Sequence, residues 1–171
     1  MIVHIRRLVP SDAEGYRALR LLALRESPSS FSSSYEEERD AALQGVAALL
    51  SDEPARAVFG AFADAQLVGL VGICRDDRLK MRHKGFLRSM YVAPLQRGTG
   101  TGKRLVAEAL AFAASMGGVR QVNLSVTAGN APALALYESM GFKRFGYEPG
   151  ALLIDGVPYD DIHMVLSIES S

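Results

Sequence analysis

The stretch F-L-R-S-M-Y-V-A-P-L-Q-R-G-T-G-T-G-K, Phe86 to Lys103, sets the architecture. Phe86 to Val92 is apolar enough for a strand, and Lys103 to about Met116 has the composition of a helix. Between them the glycines alternate: Gly98, Gly100 and Gly102. Glycine lets a backbone turn its N–H groups inward, and a helix N-terminus adds partial positive charge. The order strand, glycine loop, helix start therefore builds an anion site suited to phosphate or pyrophosphate. A Walker A loop would need glycine at position 97 and a hydroxyl at 104, but the chain has Arg97 and Arg104. A dinucleotide fingerprint would need its third glycine at 103 or 105, which are Lys103 and Leu105. What remains is R-x-x-G-x-G, met by Arg97, Gly100 and Gly102.

The bulk properties narrow the possibilities. The chain has 171 residues, a length suited to a single domain over 1–171, and 49% hydrophobic residues can supply its core. The formal net charge is zero, which gives no support to a nucleic-acid or anionic-membrane role. The lone Cys74 excludes an internal disulfide and fits a reducing, cytoplasmic setting. It lies in an apolar run and reads as a strand thiol. The start M-I-V-H-I-R-R-L is too short and too charged for a signal peptide, and no apolar run reaches membrane-span length. His4, His83 and His163 lack metal-ligand spacing, so no metal is expected.

Alternation predicts a strand over Ile2–Val9, and Ser11 or Asp12 can cap the helix that follows. Tyr35–Leu50 reads as a second helix opened by Glu36, Glu37 and Glu38. Ala57–Ala63 and Leu67–Arg75 form a hairpin across Asp64-Ala65-Gln66. Gln121–Thr127 is a further strand, and Asn130 caps a short helix that Gly141 ends. Phe142–Tyr147 and Tyr159–Leu166 complete the set, with a turn at Asp155-Gly156. The expected class is α/β: a mixed sheet with helices on both faces.

Two segments carry a resemblance. V-x-P-x-x-R-x-x-G-x-G-K, Val92 to Lys103, and N-A-P-A-L-A-L-Y-E-S-M-G-F, Asn130 to Phe142, resemble successive motifs of the GNAT superfamily of N-acetyltransferases. The resemblance implies the GNAT fold and acetyl-CoA as co-substrate, without metal. It places Met90, Tyr91 and Val92 along the pantetheine arm. The loop Arg97, Gly98, Thr99, Gly100, Thr101, Gly102 and Lys103 would take the pyrophosphate. Asn130 would contact the cofactor, and Tyr137 would face its sulfur as general acid. Asn130 and Tyr137 are seven positions apart, so they share one helix face.

The implied reaction needs a base, because an alkyl ammonium has a pKa of about 10. Ribosomal-protein N-terminal acetyltransferases of this family place a glutamate where this chain has Ser125. The remaining candidates are Glu36, Glu37 or Glu38, with Glu37 taken as base or acceptor contact, and Asp160 or Asp161. Water-mediated deprotonation with no dedicated base also fits. The expected acceptor is a small-molecule primary amine, met between Ser27–Glu38 and Asp155–Asp161. The alternatives are a protein N-terminus or lysine, or a non-catalytic acyl-CoA-binding regulator. A homodimer is compatible with the chain.

Overall fold

The computed structural model describes residues 2–168. In chain order it contains β1 (Val3–Arg7), α1 (Ala13–Glu26), α2 (Tyr35–Glu38), α3 (Leu43–Leu49), β2 (Arg56–Ala63), β3 (Gln66–Arg75), β4 (Lys84–Val92), α4 (Thr101–Ser115), β5 (Gln121–Thr127), α5 (Ala131–Ser139), β6 (Lys143–Ile154) and β7 (Val157–Ser167). The strands form one seven-stranded sheet in the order β1-β2-β3-β4-β5-β7-β6. The β4–β5 pair is parallel, and the other neighbours are antiparallel. This is the mixed sheet expected from the element order.

Strand alternation sorts side chains onto two cores. On one face Phe59, Ala61, Leu87, Val122, Leu124 and Met164 meet Leu105, Val106 and Ala109 of α4 and Leu134 and Tyr137 of α5. On the other face Leu70 and Tyr91 meet Leu19, Ala23 and Leu24 of α1, and Leu8 meets Val46 and Leu50. None of the helices among the described residues is long and apolar enough to cross a membrane.

Three sequence expectations need correction. The helix expected over Tyr35–Leu50 is two pieces, α2 and α3. Tyr35 packs on the Leu19 cluster while Val46 and Leu50 pack on the Leu8 cluster, and the chain breaks after Glu38 to seat both. Asp12 does not cap α1 with its side chain; its carboxylate instead takes Arg6 and the Val9 amide. The strand expected to end at Tyr147 continues to Ile154, past Pro149 and Gly150. The register slips between Glu148 and Leu152, Gly150 takes φ +61°, and its amide donates to Asp160. The hairpin turns fall as expected, at Asp64 and at Asp155-Gly156, where Asp155 and Gly156 both have positive φ.

The feature that creates the site is local. β4 pairs with β5 only at Lys84–Gln121, Gly85–Val122 and Phe86–Asn123, after which the strands part. At the same point Ser89 takes φ +58° and the β3–β4 register shifts between Leu70 and Gly72. This bulge resets the alternation: Leu87 faces α4, and so do Met90 and Val92, whose side chains approach Gly102. Strands that diverge in mid-sheet leave backbone groups without partners.

Candidate active site

The parted strands open a cleft of about 680 Å³. Its walls bring together Met90 from β4, Ser125 and Thr127 from β5, Asn130 and Tyr137 from α5, and Asp161 and His163 from β7. The loop Ser29–Ser33 closes one end; the Thr127 hydroxyl donates to the Ser29 carbonyl at 2.5 Å.

The glycine loop has a conformation that only its sequence permits. Gly98 and Gly100 take φ +74° and +86°, a region in which side chains are strained, and nothing lies within 4 Å of where a Cβ would stand on either. Gly102 has a different task. A Cβ there would come within 3.1 Å of Met90 Cε and 3.4 Å of Leu136, so the missing side chain lets α4 sit against β4. The N-cap of α4 is Gly100, which has no side chain to cap the helix start. Thr99 donates to the Gln96 carbonyl at 2.6 Å, so the 2.9 Å contact between the two threonine hydroxyls is donated by Thr101. A rigid turn with uncapped amides at a helix start suits a pyrophosphate. Lys103 lies at the same helix start and is exposed.

Arg97 turns away from this cradle. Its Nε donates to the Val92 carbonyl at 2.9 Å and its Nη2 to Glu26 at 2.7 Å. Glu26 also accepts from the Tyr91 hydroxyl, whose pKa is pushed up to about 12, first by burial and then by that bond. Tyr91, Glu26 and Arg97 thus fasten the end of β4 and the loop to the end of α1.

Tyr137 is buried, with its ring edge-on to Phe142 at 5.8 Å. Its hydroxyl has no hydrogen-bond partner among the described residues, and burial alone pushes its pKa well up. Asn130, whose side-chain oxygen accepts from the Ala133 amide at 3.2 Å, lines the same cleft.

The acid candidates separate. Glu37 is exposed and closes a capping box with Ser34, 2.7 Å from its amide, outside the cleft. Glu38 is the inward one: it takes a bidentate bond from the buried Arg20 at 2.9 and 3.0 Å. Asp160 is held by the Tyr147 hydroxyl and the Gly150 amide. Asp161 lines the cleft, and its carboxyl sits above the usual range because of burial and nearby Glu148.

Among known proteins, the chain matches the profile of the acetyltransferase (GNAT) family over residues 17–142. It belongs to that family. It is 42% identical over 87 residues to the N-alpha-acetyltransferase RimI of Mycobacterium tuberculosis, covering 51% of this chain and 52% of that protein. It spans about half or less of the length of the curated relatives it matches. The GNAT acetyltransferase of Streptococcus pneumoniae superposes with a TM-score of 0.86 at 25% identity, covering 98% of this chain and 100% of that one. A phosphinothricin acetyltransferase of Sinorhizobium meliloti, solved with acetyl-CoA, superposes with a TM-score of 0.82 at 19% identity, covering 98% and 89%.

The GNAT sheet of this chain also gathers groups that no sequence motif marks. Arg20 sends its third nitrogen to the Ser89 hydroxyl at 3.2 Å and lies 4.8 Å over the Phe31 ring. Ser125 and His163 are cross-strand partners, 2.7 Å from Oγ to Nδ1. The far side of that imidazole, Nε2, is 3.0 Å from Glu148.

Proposed function

We propose that this chain transfers the acetyl group of acetyl-CoA to the primary amine of a small molecule. The observation that carries the reading is the cleft at the parted β4–β5 edge, lined by Met90, Asn130 and Tyr137, with the α4 start packed at Gly102 against Met90. The edge of β4 from Met90 to Val92 offers a strand-like berth for the pantetheine arm. The amides from Gly98 to Lys103 take the phosphates, and Asn130, on the cleft wall, meets the arm that leads from them. Acetyl-CoA supplies the activated thioester; the chain supplies position and protons. Tyr137 stands on the cleft with a proton that burial keeps in place far above neutral pH, and it can give that proton to the departing sulfur. The Pro28–Ser30 turn packs against β5 and β6, which favours a compact acceptor over a protein segment. Asp161 offers a carboxylate to an approaching ammonium.

The test is thiol release from acetyl-CoA with four acceptors: an amino acid, a polyamine, an aminoglycoside and a short peptide with a free N-terminus. Turnover with one of the first three is expected. Turnover confined to the peptide supports a protein acceptor, and binding without turnover on any of them makes the chain an acyl-CoA-binding regulator.

Tyr137→Phe keeps the ring and removes only the hydroxyl. The expected result is a fall in kcat of roughly 10- to 100-fold, at or below the low end of general acid catalysis, with acetyl-CoA affinity unchanged. A thiolate is a fair leaving group unprotonated, which limits the loss. Because the phenol pKa is raised, its loss of the proton lies above the working range, and the alkaline limb below that range should match wild type. Weaker cofactor binding at unchanged kcat would make the hydroxyl an anchor instead.

A further inference from the structure

We infer that Ser125, His163 and Glu148 form the relay that takes the acceptor's proton, with His163 as the general base. The inference rests on the transfer reading above and supplies the base that reading lacks. Three strands contribute one residue each: Ser125 on β5, His163 on β7 and Glu148 on β6. The contacts are in line, 2.7 Å from Ser125 Oγ to Nδ1 and 3.0 Å from Nε2 to the Glu148 carboxylate.

The proton positions follow from the partners. A carboxylate only accepts, so Nε2 must carry the hydrogen it shares with Glu148. In a neutral imidazole Nδ1 is then the acceptor, and the Ser125 hydroxyl donates to it. The free lone pairs of Ser125 are left for an incoming N–H. Ser125 and His163 both line the cleft that Tyr137 lines, and the Phe145 ring lies against the imidazole with centroids 6.0 Å apart. Glu148 is about half exposed, so a proton stored on His163 can leave to water.

The step balances. An ammonium acceptor gives one proton to Ser125 Oγ as the serine passes its own to Nδ1, which leaves a free amine and an imidazolium facing Glu148. Over the turnover the C–N bond forms, the C–S bond breaks, the second amine proton reaches the sulfur through Tyr137, and His163 returns the first to solvent.

The charged and titratable groups around His163 are few. β6 brings Glu148, and β7 brings Asp161, which also feels the imidazole, and Asp160, which is bound to Tyr147. Across the cleft stand Tyr137, Arg88 and Arg20, the last already paired with Glu38. The Ser29–Ser33 wall carries no charge. Asp161 also lines the cleft and serves there as the ammonium's counter-charge, while the Ser125–His163 pair takes the proton.

The experiment is the pH profile of kcat/KM for the fastest amine of the panel at saturating acetyl-CoA. His163→Ala should cost about 100-fold near pH 7, with the deficit closing to a few-fold near pH 10, where the amine sheds its own proton. Ser125→Ala should show the same pH-dependent deficit at smaller size, and Glu148→Gln should lower the rate less than His163→Ala does. Calorimetry with acetyl-CoA should give wild-type affinity for all three. A folded His163→Ala or Ser125→Ala protein with no deficit, or with one that is uniform across pH, overturns the relay alone. A wild-type protein inert toward every amine overturns the transfer reading and the relay with it.

Discussion

Gly100→Val is expected to weaken acetyl-CoA binding by roughly 100-fold. Gly100 sits at φ +86° as the N-cap of α4, and a β-branched residue that relaxes in the free loop and is forced back there on binding loses about 1–3 kcal/mol, or about 5- to 150-fold in affinity. If the loop instead stays relaxed, the amides of Thr101, Gly102 and Lys103 swing out of line with their ligand, and affinity falls by that route. The open space around Gly100 means the fold itself should tolerate the change. Gly102→Ala is the contrast. Its backbone is ordinary, and the nearest obstacle is the flexible end of Met90, so a loss of only a few-fold is expected. Calorimetry with acetyl-CoA, with and without magnesium, measures both. A folded Gly100→Val protein that binds as tightly as wild type would remove the loop from the site.

Arg20→Ala should lower stability by about 2 kcal/mol and the midpoint of thermal unfolding by roughly 4–8 °C. Arg20 is 9% exposed, and it ties Glu38, the Ser89 hydroxyl and the Phe31 ring into one cluster. Removing one partner of a fully buried pair costs more; Glu38 keeps 29% side-chain exposure and can rehydrate. The sign of the pH dependence follows from Glu38. The hydrogen bond from Arg20 holds its carboxyl below the usual range. The stabilisation is therefore present above the ordinary carboxylate pKa of about 4.3 and is lost as pH falls through the lowered value. The gap between wild type and Arg20→Ala should shrink in acid. An equal gap at neutral and acid pH would mean that the Phe31 contact, and not the ion pair, carries the effect.

How much of this could be read beforehand depended on whether the signal was local. The glycine loop was visible because positive φ and close helix packing both demand glycine, and Gly98, Gly100 and Gly102 divide those two demands. Asp155-Gly156 was visible as a turn for the same conformational reason. The Ser89 bulge was not, since nothing in K-G-F-L-R-S-M-Y-V departs from an ordinary strand; it shows only as positive φ at Ser89 and a shift in the β3–β4 register. The Tyr35–Leu50 stretch kept a helical pattern throughout, and its break comes from two separate patches on the sheet. Ser125, Glu148 and His163 are brought together by β5–β7–β6 register alone. At the level of the chain they are a serine in a strand, an acid before a proline and a histidine without a partner.

The three residue pairs that join β4 to β5 have a mechanical meaning. They are the narrow seam between a four-stranded half, β1 to β4, and a three-stranded half, β5 to β7. A sheet stitched this lightly should open there first, so amides along the diverging edges should exchange with solvent faster than those of β2 and β3. On the proposed reading, a pantetheine arm laid between the halves would act as the absent strand and close the seam. Acetyl-CoA at about 100 times its dissociation constant stabilises the fold by about 2.7 kcal/mol. On that reading the gain in exchange protection should be concentrated along the seam, and the co-substrate would be, for as long as it stays bound, part of the sheet.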